Sequence, residues 1–444
     1  MFPFPFSYIQ ESGGDDTFPF KIQLDLTGAT FPYTFQIRYV TASNVTTDWG
    51  DGTSEVLNVN FNNITHTYTD ASITEPIIIF GNKAEGNSLS IFRVNNTASV
   101  SRNELKDIVQ WGEGTWNGGA NSLQFYGANN VNASATDKPI ISGASIQFGF
   151  YQASNMNPAN INDWDVSNMT SFNNTFFNAA SFNQDLNKWD MSNITTFGAL
   201  GFRGCTVFNG NVDNWDLSGL TSGMANMWMF CRNFNRDIST KSISAEDSPT
   251  GIAYTAWDIG GNPNITSFTN MFYQASTAYG DFNQDITNWD TSNIISMKYM
   301  FLNNKSFNQP IGVWDVSSVT NMQFMVGSAL AFNQNCSAWN LSTSLTNIDR
   351  FGFNNSMSDD NWTDTLVGWA VSTYKNSGPY NVSSITNTTV NFIDSKTSDT
   401  ASGQTYATKY GSDWTATGWT DSTDARDYLT AATPAGAGWN ITGD

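Results

Sequence analysis

Four aspartates recur behind a tryptophan: Asp190, Asp216, Asp290 and Asp315, each two residues ahead of a serine. If they stack at successive levels of a repeat, like charges repel by about 1 kcal/mol at ~4 Å even in water, so the pattern must contain its own relief. An aspartate in this position can accept the serine's backbone N–H in an Asx turn, which is the expected use. Calcium held between levels is the alternative, since oxygen ligands are present although no loop of closely spaced acids is. The single histidine lies in His66-Thr-Tyr68 and is expected to be structural. With the cysteines it makes no metal-ligand spacing, and the chain has no glycine-rich phosphate loop, so the expectation is a protein that is not an enzyme. A carboxylate pair that cleaves a glycan would be made by folding rather than spacing, and a glycan-degrading enzyme stays as an alternative. Two further groups suit binding. Tyr254, Trp257 and Asp258 stand among glycines and small polar residues in an interruption running from Ala245 to Asn264, and rings with few rotatable bonds suit stacking on a sugar or filling a partner's pocket. Phe2, Phe4, Phe6 and Tyr8, broken by prolines, read as an assembly arm that docks on a neighbouring subunit.

What must position these residues is a repeat. Phe-Asn stands at Phe182, Phe208, Phe234, Phe282, Phe307 and Phe332, about 25 residues apart except for one interval of 48, where an insertion blurs a copy. Four residues after each Phe comes an apolar side chain (Leu186, Val212, Ile238, Ile286, Ile311, Cys336), and three further on a tryptophan (Trp189, Trp215, Trp289, Trp314, Trp339), with Lys241 at that place in the Phe234 copy. Periods of this length mean stacked coils. Asn183 and its equivalents then form a ladder that satisfies backbone groups at each turn. Because per-repeat insertions collect on binding faces, the interruption at 245–264 is the expected recognition site; the alternative is a decayed repeat whose Trp257 fills the core. Cys205 and Cys231 fall three residues before successive repeat phenylalanines, roughly 5 Å apart on adjacent coils. Free thiols are expected there, with a disulfide as the alternative.

Outside the array, residues 20–98 alternate as strands, with Asp48-Trp-Gly-Asp-Gly-Thr53 as a turn and Ile77-Ile-Ile-Phe80 as a strand buried on both faces. After Asn361 the period becomes helical, with Trp362, Leu366 and Trp369 on one face and Asp359 or Asp360 as the expected N-cap. The segment Ser422–Leu429 reads as a second short helix. The formal charge of −20, from 39 acids and 19 bases, argues against nucleic acid or an anionic membrane as partner. The longest apolar run is far short of a bilayer span, and the start carries no basic residue before Lys21, so neither membrane insertion nor a signal peptide is expected.

The arrangement resembles the BspA-like surface proteins, whose leucine-rich-like repeats read F-N-x-D-I-x-x-W-D-x-S-x-V-x-x-M-x-x-M-F. Ile294, Met297, Met300 and Phe301 continue that pattern here, while Gly223 and Val326 depart from it. Relatives of this kind tend to carry a W-G-D-G-T sandwich before the array, an opening like Leu105–Gly112 and a closing segment like Trp362–Trp369. The resemblance implies a mainly β chain divided into an arm (1–19), a PKD/Ig-like β-sandwich (20–98), an LRR-like solenoid of roughly nine or ten coils (99–357) and a C-terminal helical cap region (358–444). It implies binding as the function. The expectation is a phage virion component, such as a tail-fibre, decoration or receptor-binding subunit. Its partners would be a host-surface glycan or protein and other virion subunits in an oligomer, with no cofactor. A secreted bacterial adhesin at the cell surface is the alternative.

Overall fold

The computed structural model describes residues 19–41, 45–57, 63–81, 89–94, 103–116, 123–198, 200–375, 385–386, 404–410, 412–417, 419–430 and 441–442. Phe2, Phe4, Phe6 and Tyr8 of the expected arm lie outside them. Seven strands come first: β1 (Phe20–Leu24), β2 (Tyr33–Thr41), β3 (Val45–Asp48), β4 (Ser54–Leu57), β5 (Asn63–Tyr68), β6 (Ile77–Phe80) and β7 (Leu89–Val94). Alternation puts Phe20, Ile22 and Leu24 of β1 inside, where Phe20 packs against Phe80, Phe92 and Trp116. In β6 only Ile78 and Phe80 are buried. Ile77–Phe80 is therefore an alternating strand with one face inside, and not the strand buried on both faces that its unbroken apolar run suggests.

The Asp48–Thr53 turn is closed by Gly50 (φ 75°) and Gly52 (φ 85°), conformations that a side chain would strain. Its Asp51 carboxylate accepts from Thr53 N and from His66 Nε2 at 2.9 and 2.7 Å. His66 lies flat on Trp49, with ring centres 4.6 Å apart, and Tyr68 Oη donates to Trp49 O. The one histidine is thus a structural clamp between turn and strand, as its setting in His66-Thr-Tyr68 suggests. Burial raises the Asp51 pKa, yet the hydrogen bonds from Thr53 and His66 outweigh it and hold this carboxyl below the usual range.

The sandwich does not stop where the repeats begin. The next elements are β8 (Leu105–Gln110), β9 (Thr115–Trp116), β10 (Leu123–Phe125), β11 (Asn132–Ala133) and β12 (Ile140–Ile141). One sheet runs β11-β8-β1-β6-β3-β4 and the other β10-β7-β2-β5. β8 pairs antiparallel with β1 on one side and parallel with β11, one coil further on, on the other. Leu105–Gln110, in the segment that opens the array, is thus a strand common to both parts.

From there the chain stacks in coils. Short parallel bridges join Ser145 to Ser171 and on to Thr196, and Ser267 to Ser296, Asn321 and Asn347. The phenylalanines stack face to face, Phe182 on Phe208 at 5.5 Å, then Phe234 at 6.0 Å, Phe282 at 6.0 Å, Phe307 at 6.4 Å and Phe332 at 6.0 Å. The pair Phe234 and Phe282 shows that the interval of 48 is one coil with insertions, with no copy lost. Each column tryptophan is buried, and its Nε1–H donates to a carbonyl of the preceding coil: Trp189 to Ile161, Trp215 to Leu186, Trp289 to Ile238, Trp314 to Ile286 and Trp339 to Ile311, all at 2.8 to 3.1 Å. The asparagine ladder works the same way. Asn183 Oδ1 accepts from Asn209 N, Asn209 from Asn235, Asn235 from Asn283, Asn283 from Asn308 and Asn308 from Asn333. Cys205 and Cys231 are free and buried, and their thiols donate to Phe176 O and Phe202 O at 3.0 Å. Burial pushes the Cys205 thiol up.

Helix α1 (Asp359–Lys375) closes the stack. Its N-cap is Ser358, whose Oγ accepts from Asn361 N at 3.3 Å, while Asp359 and Asp360, the expected caps, sit in the first turn and face the helix dipole. Ser358 also donates its N–H to Asn333 Oδ1, ending the ladder. Gly368 lets the helix press onto the last coil, because a Cβ there would meet Ser337 O at 2.0 Å. Trp369 then stacks on Trp339 at 6.1 Å and donates to Cys336 O, acting as the final rung of the tryptophan column. Helices α2 (Tyr406–Tyr410), α3 (Ser412–Thr417) and α4 (Ser422–Thr430) pack outside it, with Tyr406 Oη donating to the buried Asp364 of α1.

Two measurements check this account. Trp289→Ala should cost about 3 to 5 kcal/mol in chemical unfolding. Trp228→Phe should cost far less, because buried Trp228 Nε1 has no acceptor among the described residues and equivalent coils carry Phe176, Phe272 and Phe301 there. A loss in Trp228→Phe equal to that of Trp289→Ala would show that more than apolar packing holds Trp228 in place. For Asp51 the folded-state pKa is depressed, so its contribution is present above the unfolded value of about 3.9 and is lost as pH falls through the folded value. Asp51→Asn should cost about 1–3 kcal/mol at neutral pH. Below about pH 4 it should lose less stability than the parent on further acidification.

Candidate functional site

The repetition breaks between Thr240 and Trp257. Residues 241–256 leave the coil as an antiparallel hairpin, β13 (Lys241–Ile243) with β14 (Tyr254–Ala256), in the register Lys241 to Ala256 and Ile243 to Tyr254. Its root is fixed by Thr240 Oγ1 donating to Trp257 O at 2.7 Å and by Trp257 N donating to Trp215 O. The tip, 244–253, is almost wholly exposed, with Ile252 70% accessible. The interruption read as 245–264 is therefore a hairpin at 241–256 followed by a resumed coil. Lys241 does not occupy the tryptophan position. It lies at the surface, with Nζ at 2.8 Å from Asp213 and 3.3 Å from Asp237.

Trp257 must be corrected as a ligand-binding residue. It is 0% exposed, stacked between Trp215 at 6.1 Å and Trp289 at 6.4 Å, and its Nε1–H donates to Val212 O. The physical reason is that the paired strands return the chain to its point of departure, so the next residue falls into the vacant place in the column. Tyr254 and Asp258, the other two candidates, do come together. With Asp216, Ser218 and Asn262 they line a cavity of about 300 Å³ at the foot of the hairpin. Tyr254 Oη donates to Asn214 O. Burial, then the charges of Asp216, Asp190 and Asp213, push its phenol up, so it remains a donor at neutral pH. Asp216 accepts from Ser218 N and Asp258 from Gly261 N, both at 2.9 Å.

The rest of the acidic column is used alike. Asp190, Asp290 and Asp315 accept from Ser192, Ser292 and Ser317 N at 2.8 to 3.0 Å, the Asx turns that their spacing suggests. Among the described residues no group of three or more His, Cys, Asp or Glu gathers as a metal site.

A second surface was not foreseen from sequence. Half-exposed rings and guanidinium groups form one unbroken stack along the outside of the coils. Tyr126 lies on Tyr151 at 4.5 Å and Tyr151 on Phe177 at 4.6 Å. Arg203 bridges Phe177 and Phe230, its Cζ 5.8 and 5.1 Å from the ring centres. Phe230 then meets Tyr273 at 5.4 Å, Tyr273 meets Tyr299 at 6.3 Å, Tyr299 meets Phe324 at 5.6 Å, and Phe324 carries Arg350 and Phe353 beside it.

Several of these residues have left-handed backbone, Phe230 (φ 64°), Tyr299 (φ 58°), Phe324 (φ 50°) and Arg350 (φ 53°), as does Phe148 (φ 62°), whose ring lies 6.0 Å from Tyr126 and 5.5 Å from Tyr151. That region costs a side chain about 1–2 kcal/mol and is tolerated best by Gly and Asn. Other coils place Asn174, Asn226 and Asn270, or Asn178, Asn303 and Asn354, at the equivalent positions. A signal for this face was present in the sequence, since Phe-Tyr-Gln-Ala-Ser recurs at 150–154 and 272–276 and both tyrosines are rungs.

No curated protein and no solved structure matches the chain. In two overlapping stretches, 144–259 and 243–364, the coils match the model of the family described as Mycoplasma protein of unknown function, DUF285, which is a family of BspA-like repeats.

Proposed function

We propose that the chain is a non-enzymatic attachment protein, a phage virion subunit of tail-fibre, decoration or receptor-binding type that recognises a host-surface glycan or protein. In this reading the coils are an LRR-like solenoid and the sandwich ahead of them is PKD-like, with Trp49-Gly-Asp-Gly-Thr53 and His66-Thr-Tyr68 as its paired signature. The observation that carries the proposal is the hairpin at 241–256. Its root is locked into the tryptophan column while its tip and the cavity at its foot face solvent, so an irregular element is held rigidly on a regular support. Rigid presentation lowers the ordering cost of binding. The net charge of −20 favours partners other than polyanions. The match to a family described from mycoplasmas favours a second reading, an adhesin on a bacterial cell surface.

Replacing residues 244–253 by a short Gly-Ser linker keeps the buried root. The variant should unfold within about 2 °C of the parent, since exposed loop tips tolerate exchange, and should lose attachment to host cells. Undiminished attachment by the folded variant would refute the hairpin as the recognition element. Immunogold labelling separates the two readings: label on virus particles supports the virion subunit, and label on uninfected producing cells supports the adhesin.

A further inference from the structure

We infer that the outer stack of rings is a carbohydrate-binding face that takes an extended, uncharged polysaccharide along the axis of the coils. The inference rests on the attachment reading and names a ligand class for it, at a surface separate from the hairpin. Three observations carry it.

The first is geometry. From Tyr126 to Phe353 every level contributes a planar group, and the levels advance by ~4.8 Å, the spacing of neighbouring strands. A pyranose unit in an extended chain advances by a comparable distance. Tyr126, Tyr151 and Phe177 stack on one another and turn their edges outward, whereas from Phe230 to Phe353 neighbouring rings are tilted by 38° to 74°. There the axial C–H faces of successive sugars can meet successive rungs, and a ligand that repeats is matched by a surface that repeats.

The second is that folding does not require the rings. At Phe148, Tyr299 and Phe324 the backbone is left-handed, and Asn174, Asn226 and Asn270 fill the same place in other coils at less conformational cost. The rings are also half-exposed, unlike the fully buried Phe and Trp columns. Large side chains kept where a small polar one fits better point to a use outside the core.

The third is the chemistry between the rungs. The flanking positions hold accessible planar amides, among them Gln152, Asn178 and Asn354, which suit sugar hydroxyls. The carboxylates of the array stand mostly in the Asx turns and in the loops after each Phe-Asn; on the ladder itself Asp349 is the one acid among the described residues. The cations Arg203, Lys298 and Arg350 each lie over a ring. Three cations against a net charge of −20 do not make a polyanion site, whereas an uncharged polymer is not repelled. Single-stranded nucleic acid, which also stacks on such platforms, is disfavoured on that ground.

Affinity electrophoresis of the full chain tests the inference. The gels contain soluble β-1,3-glucan, xyloglucan, galactomannan or α-mannan, with alginate and poly(dT) as charged comparators. At least one uncharged polysaccharide should retard the protein, with little dependence on salt. The triple variant Tyr273→Leu, Tyr299→Leu, Phe324→Leu should weaken binding by roughly tenfold or more, because it removes flat faces but keeps apolar contact and backbone demands. Its unfolding midpoint should stay close to the parent's; if it unfolds, Tyr273→Leu alone, at a position of ordinary φ, should still weaken binding. Retardation by no uncharged polysaccharide overturns the inference, as does salt-sensitive retardation by alginate or poly(dT) alone, or unchanged binding by the folded triple variant. Attachment of the parent to whole cells is scored in parallel. A parent that attaches but is retarded by no polysaccharide leaves the attachment reading standing and removes this one.

Discussion

Each indole of the tryptophan column donates its N–H to an acceptor in the preceding coil, and much of this chain's architecture follows from where that acceptor stands. In the tryptophan column it is the carbonyl of the apolar residue three positions ahead of the tryptophan in the preceding coil, as with Trp314 and Ile286 or Trp339 and Ile311. Leaving the donor unmade in an apolar core would cost about 1–3 kcal/mol per coil, comparable with much of what one coil gains. The bond therefore fixes both the register and the distance of neighbouring coils. Asparagine side chains repeat the device on the other flank, each receiving the next coil's N–H. Variation in length is absorbed elsewhere: the hairpin at 241–256 leaves and re-enters without disturbing Trp257, and α1 offers Trp369 as a last rung although it is a helix.

The regular coils were legible because each position demands a residue type at a fixed spacing. Phe, the apolar residue, Trp, Asp and Ser could be laid in register, and their roles in core, ladder and turn follow from chemistry alone. Trp257 was legible as a core residue only as the alternative to a ligand-binding one, because paired strands close on themselves and sixteen residues of chain add almost nothing to the path of the coil. Spacing along a sequence cannot show that two distant residues are neighbours in space. The expected caps, Asp359 or Asp360, lie one and two residues past the actual one for a related reason, since Ser358 serves both the helix and the asparagine ladder.

The outer stack of rings escaped for a different reason. Its rungs change type, from Tyr to Phe to Arg, and move between two columns on either side of the left-handed turns. What is constant is flatness. A pattern of residue identities registers that property only where a rung happens to recur, as Tyr151 and Tyr273 do, and the continuous stack emerges when side chains are placed. The candidate site near the hairpin was half legible: Tyr254 and Asp258 line the cavity as their exposed setting suggested, but Asp216 and Asn262 reach it from elsewhere in the stack.

The shared sheets of sandwich and coils carry a mechanical consequence. β8 is hydrogen-bonded to β1 on one edge and to β11 on the other, and β10 continues the sheet of β7. A pull between the sandwich and the far coils is thus borne by β-ladders loaded together. Force rupture is governed by the barrier to unfolding. The junction therefore transmits tension through hydrogen-bonded strands, and under the attachment reading a particle or cell held through it would feel the drag of flowing fluid directly.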